Sequence, residues 1–266
     1  MPLATLSPRE RYRRVLDFRP VDRLPVMEWA GWWDKTIARW RDEGLPASLT
    51  TAREIRDWFG IDPHEQIWFG ARAASCPKPP GRGLPIVRDR AEYLALRPHL
   101  YPLDAVDVER LGRLGEEQHK GNLAFWITLE GFFWFPRTLL GIEEHLMSFF
   151  DMPELLEEMC RDLLEYNTRL VELICEHCSP DWMTFAEDMS YNHGPMLSPE
   201  QFDRFLAPSY RALVAVLKGR GIVPLVDTDG DVTVPVRWYT GVGVEGFLPL
   251  ERMAGVDVGR IRSAHP

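Results

Sequence analysis

Leu123-Ala124-Phe125-Trp126-Ile127-Thr128-Leu129-Glu130-Gly131 is the stretch that decides the fold. Seven residues without polar alternation, rich in β-branched and aromatic types, read as a strand covered on both faces. The run stops at an acid and a glycine. The pattern returns along the chain. Asp181 to Glu187 is a strand ending in Glu187-Asp188, and Ile222 to Val226 leads into Asp227-Thr228-Asp229-Gly230-Asp231. Val244 to Leu250 ends in Glu251, Gln66 to Gly70 is a shorter run, and Arg23 to Glu28 reads as a short buried strand ending in an acid.

Helical stretches separate these runs. Ser7 to Phe18 has an N-cap serine, Pro8 in the first helical position and Glu10 completing a capping box. Amphipathic or capped segments follow at 33–43, Thr51 to Phe59, 91–98, 104–114, Ile142 to Phe150, Pro153 to Cys178, and Ser198 onward with an interruption at Pro208. Val232 to Thr240 is helical by position, limited by Pro235. Six short apolar strands alternating with helices predict parallel βαβ units, an α/β chain and a single domain over 1–266. The alternation favours a TIM-type (β/α)8 barrel.

Such a barrel gathers the C-terminal ends of its strands at one face, where active sites are built. Glu28, Glu130, Glu187, Asp188, Asp227, Asp229 and Glu251 all fall there. Carboxylates crowded into a dry cleft repel, so at least one should hold its proton near neutral pH and serve general acid or base chemistry. Asp227, Asp229, Glu187 and Glu251 are the expected catalytic groups. Glu28, Trp32, Trp33, Glu130, Phe133, Asp188 and His193 are the expected substrate contacts. Asp227 and Asp229, two apart before Gly230, could instead reach one divalent cation with His193 as a nitrogen ligand. The competing expectation for any one acid is a helix cap or a salt bridge. Phe132-Phe133-Trp134-Phe135 is either core or a flat pocket wall. The segment 76–85, with four Pro and two Gly, is a loop that either covers a site or is a passive excursion.

Composition narrows the partners. Hydrophobic residues make up 45% and charged residues 27%, a globular balance. Asp and Glu outnumber Lys and Arg, 40 to 31, which argues against nucleic acid or an anionic membrane. Six Arg in the first 23 residues read as a solvated helix face rather than a binding arm. No run reaches the length of a membrane span, and the Arg-rich start lacks an apolar leader core, so a cytoplasmic location is expected. In that reducing setting Cys76, Cys160, Cys175 and Cys178 stay thiols, and Cys175-x-x-Cys178 without a second pair is structural. No dinucleotide fingerprint, phosphate loop, nucleophile elbow or H-E-x-x-H motif occurs.

At Arg9-Glu10-Arg11, Pro20-Val21-Asp22-Arg23-Leu24-Pro25-Val26, Leu197-Ser198-Pro199-Glu200-Gln201-Phe202 with Pro208, Asp227 to Asp231, and Gly246-Phe247-Leu248-Pro249-Leu250-Glu251, the chain resembles the uroporphyrinogen decarboxylase superfamily. That superfamily includes the corrinoid:coenzyme M methyltransferases. The resemblance implies the (β/α)8 barrel. It also implies either methyl transfer from a small methylated substrate with a corrinoid protein as partner, or decarboxylation in porphyrin and haem biosynthesis. Two departures stand out. Met27 to Asp34 replaces the arginine-rich stretch of the decarboxylases, and Asp227-x-Asp229 replaces the His-x-Cys zinc ligands of the methyltransferases. A zinc or harder ion is therefore an expectation for this turn. By the family order the strands found are the first six of eight. That makes the chain a truncated barrel, a binding-only homologue, or one protomer of a homodimer that covers the gap.

Overall fold

The computed structural model describes residues 5–265. They fall into two compact units, residues 5–65 with 113–125, and residues 66–112 with 126–265.

In the first unit α1 (Pro8–Leu16) is capped by the Ser7 side chain, which accepts from Glu10 N–H. The capping box is only half made, because Glu10 Oε1 takes Arg14 Nε instead. The helices α2 (Asp34–Asp42) and α3 (Ala52–Trp58) follow, and in α3 the box of Thr51 and Glu54 is complete. The expected strand from Arg23 to Glu28 does not form. Its backbone groups are taken by other partners. Val26 N–H donates to Asp62 Oδ2 at 2.8 Å, Val26 O accepts from Asp62 N–H, and Glu28 O meets His64 Nε2 at 2.9 Å. Asp62 is buried and also holds Arg11 and Arg23, so a charged cluster organises this segment instead of a ladder.

The strands of the sheet are β1 (His64–Phe69), β2 (Ala124–Glu130), β3 (Trp182–Ala186), β6 (Val223–Asp227) and β7 (Gly246–Leu248), hydrogen-bonded in that order. The pairs β2–β3, β3–β6 and β6–β7 are parallel. The fold is thus mixed α/β with sequential strand order. Order without reversal, with the right-handed crossover that parallel strands adopt, sends the helices joining β2, β3, β6 and β7 to the same side of the sheet. The helices α6 (Trp134–Leu140), α7 (Ile142–Asp151) and α8 (Pro153–His177) join β2 to β3. The small hairpin β4 (Ser190–Tyr191) and β5 (Gly194–Pro195), with α9 (Pro199–Gln201) and α10 (Ala207–Gly219), joins β3 to β6. The helix α11 (Val236–Gly241) joins β6 to β7. The remaining helices are α4 (Arg90–Leu96), α5 (Val108–His119) and α12 (Val258–Ala264).

Side chains alternate across each strand. Ile127, Leu129, Met183, Phe185 and Val226 are fully buried. They share the helix-side face, where Phe185 meets Tyr210 of α10 edge-on at 4.8 Å. Trp126, Thr128 and Glu130 share the other face with Trp182, Thr184 and Ala186, and with Val223, Leu225 and Asp227. There Trp126 stacks on Trp182 at 4.8 Å, and the Thr128 and Thr184 hydroxyls bond at 2.6 Å. Gln66 Nε2 donates to the same Thr128 hydroxyl at 2.8 Å. Three strands are thereby stitched in register below the carboxylates.

The helix expected to break at Pro208 does not break. Residues Phe202–Leu206 form a π-turn in which Ala207 N–H reaches back to Phe202 O. Proline has no N–H to give Arg204 O, and the widened turn absorbs the mismatch. α8 spans 25 residues and buries Leu156, Met159, Leu163, Leu170 and Ile174, among others, at helical spacing. No described helix is long and apolar enough to cross a membrane.

Candidate active site

Glu130 and Asp227 are the last residues of β2 and β6, and both register with Ala186 of β3. They therefore share the face opposite the helices. Two strand spacings separate their backbones by roughly 10 Å. Glu130 is 6% exposed, and its Oε2 has no hydrogen-bond partner. Burial pushes this carboxyl up to about 7, against the opposing pull of Arg72 and of the Ala71 N–H. Asp227 is also pushed up to about 7, first by burial and then by the charges of Asp188 and Asp229.

Asp188 and Asp229 complete an acidic cluster with Asp227. Burial raises Asp188, while Arg137 and a hydrogen bond from Asp229 N–H pull it down. Asp229 is raised by burial, by Asp188 and by Glu251. The turn that carries these groups is tightly held. Gly230 has φ +84°, and a Cβ there would lie 2.6 Å from the Tyr191 backbone. Gly230 N–H donates to Glu251 Oε2 at 2.6 Å, Thr228 N–H to Leu248 O at 2.8 Å and Asp231 N–H to Tyr191 O at 2.9 Å. Glu251, an expected catalytic group, thus positions the turn through its backbone.

Glu187, also expected to be catalytic, is placed on the other face. It follows β3 directly and faces the helix side, where it is buried. Its carboxylate accepts from Phe133 N–H at 2.9 Å, from Trp134 N–H at 2.8 Å and from the Tyr210 hydroxyl. This is the cap expected as the alternative, closing the first turn of α6. Burial still pushes Glu187 up to about 8, partly offset by those backbone donors. Phe133 is likewise core, fully buried against His145 at 4.7 Å and Phe149. Of the four consecutive aromatics, only Trp134 is partly exposed.

His193 is exposed in the β4–β5 turn, beside the Tyr191 ring. Among the described residues, no three or more His, Cys, Asp or Glu side chains are arranged to hold a metal ion. Asp227, Asp229 and His193, expected as ligands of a cation, are not gathered into such a group. Glu28, Trp32 and Trp33 belong to the first unit. There Trp32 packs on Trp40 at 5.1 Å, while Trp33 is 78% exposed.

The 76–85 loop walls a cavity of about 650 Å³, lined by Gly70, Arg72, Cys76, Lys78, Arg82 and Glu130 among others. The loop is anchored: Ile142 N–H donates to Gly83 O, and Ile86 and Val87 N–H both donate to Leu139 O. Arg72, Lys78, Arg82 and Arg137 were not singled out from the sequence. No local motif marks them: Arg72 acts on Glu130, and Arg137 donates to Asp188 O, each more than fifty residues along the chain.

No family model and no curated protein matches this sequence. Among solved structures, a methyltransferase from Methanosarcina mazei is similar in fold, with a TM-score of 0.59 and 14% identity. The match covers 93% of this chain and 77% of that one.

Proposed function

We propose that the chain is a methyltransferase-like enzyme that moves a methyl group from a small methylated substrate to a corrinoid carried by a partner protein. The observation that carries this reading is Asp227, a carboxyl at a strand end held near neutral by burial and by Asp188 and Asp229. When a methyl group leaves oxygen, nitrogen or sulfur for a nucleophile, the heteroatom keeps the bonding pair and needs a proton. A carboxyl with a pKa of about 7 is protonated about half the time at neutral pH and can give that proton. Exposed Asp229 beside it offers a route for reprotonation from solvent. The corrinoid supplies the nucleophile that accepts the methyl group. The fold shared with a methyltransferase supports the reading.

Decarboxylation of a small polycarboxylate is the second reading, favoured by the cations Arg72, Lys78 and Arg82 around Glu130. Asp227 would then protonate the carbon that loses carbon dioxide.

The test is a demethylation assay with methanol, methylamines, methoxylated benzoates and methyl thioethers, reading the loss of reduced-corrinoid absorbance. Asp227→Asn is expected to slow turnover by roughly 10²–10⁴-fold with the fold intact. Carbon dioxide release from a tricarboxylate without demethylation replaces this reading with the second. Full activity in Asp227→Asn overturns both.

A further inference from the structure

The cavity beside Glu130 runs against the charge of the whole chain. Acidic residues exceed basic ones by nine (40 − 31). Yet its charged lining is Arg72, Lys78 and Arg82 against the single acid Glu130. None of the three cations makes an ion pair within 4 Å of a described carboxylate. Three cations around one hollow, set against a single acid, attract an anion. Its volume of about 650 Å³ suits a metabolite-sized molecule. Glu130, a buried carboxyl with one oxygen unpartnered, lines the same space.

We infer that this cavity is a carboxylate subsite, in which Arg72 and Arg82, with Lys78, hold an anionic group of the substrate and Glu130 donates its carboxyl hydrogen to it. The inference concerns how substrate is held. It stands under either reaction above, and rests on those readings only for the substrate that it would hold.

A neutral Glu130 is what burial favours, with a pKa of about 7. The groups that act on it are Arg72 from the loop after β1, which favours the ionised form, and the Ala71 N–H. Cys76, in the same wall, and Tyr166 of α8 also feel its charge, and burial raises both, so both stay neutral. The sign follows directly. Below pH 7 Glu130 carries its hydrogen and donates to the guest carboxylate, and above pH 7 it becomes a second anion and repels it. Carboxylate affinity should therefore fall as pH rises through 7.

The experiment is calorimetric titration of the full chain with succinate, with inorganic phosphate as the comparison anion, at pH 6 and pH 8. Wild-type affinity for succinate should drop about tenfold between these values. Glu130→Gln, a permanent neutral donor, should bind equally at both. Arg72→Ala with Arg82→Ala should lose tenfold or more. The pair Arg72→Lys, Arg82→Lys, which keeps the charge, should lose less. Succinate binding indifferent to the arginines, or a pH-dependent drop that persists in Glu130→Gln, overturns the subsite. Phosphate bound more tightly than succinate overturns its assignment to carboxylate. Failure here leaves the Asp227→Asn turnover assay standing, so the two claims fail separately.

Discussion

Glu130 and Glu187 end adjacent strands, and both are buried with raised carboxyl pKa values, about 7 and about 8. They nevertheless do opposite things. Glu187 lies one residue past Ala186, the register partner of Glu130, and so turns to the other face. There its oxygens are filled by two backbone N–H groups and the Tyr210 hydroxyl. The missing Cβ of Gly131 leaves the room for it, since one there would lie 2.3 Å from the carboxyl carbon. Glu130 keeps an unpartnered oxygen and lines a cavity. A perturbed pKa reports burial, whereas an unpartnered carboxyl oxygen on a residue that lines a hollow marks a place where a ligand can act.

The comparison can be broken at its closed side first. Glu187→Ala would strand two N–H groups and a hydroxyl in the core, costing about 4 kcal/mol in a denaturant melt. Glu130→Ala should cost under about 1 kcal/mol, because it removes a carboxyl that burial already disfavours. Equal losses at the two positions would erase the distinction. Gly230→Ala should cost about 2–3 kcal/mol, from a left-handed backbone and the collision with Tyr191. An unperturbed melt would mean that the acidic turn is slack. The smallest effect is a gain. Asp227 is raised in the fold, so from about pH 4 to about pH 7 the unfolded chain has released a proton that the native state still holds. Native stability falls across that window and is flat above it. Asp227→Asn should therefore stabilise by about 1–2 kcal/mol at pH 8, after allowance for solvent screening, and by nothing near pH 4. A loss at pH 8 would show that the carboxylate is paired.

The strands β2 and β3 were legible because residues buried on both faces read as unbroken apolar runs, and β6, partly covered on one face, still keeps an apolar run. The acids at their ends were legible for the same reason. Which face each acid takes was not, because one residue of register decides it and register depends on contacts distant in sequence. The false strand at Arg23 to Glu28 had the composition of one, but Asp62, some 36 residues away, claims its Val26 N–H. Glu187 looked catalytic because its capping partners, Phe133 and Trp134, sit more than fifty residues earlier. The cationic cavity was missed although its loop was noted. Arg72 meets Glu130 only in three dimensions.

The π-turn before Pro208 carries a consequence of a different kind. One residue more per turn rotates everything after it by about 100°. Phe205, inside the π-turn, packs on Phe149, while Tyr210 beyond it reaches Glu187. The pairing of these two contacts is thus stored as a length. Excising a single residue from 202–206 would leave every side chain chemically intact yet swing the Tyr210 hydroxyl away from its carboxylate. Insertions and deletions, more than substitutions, are the currency in which this helix would lose its hold on the sheet.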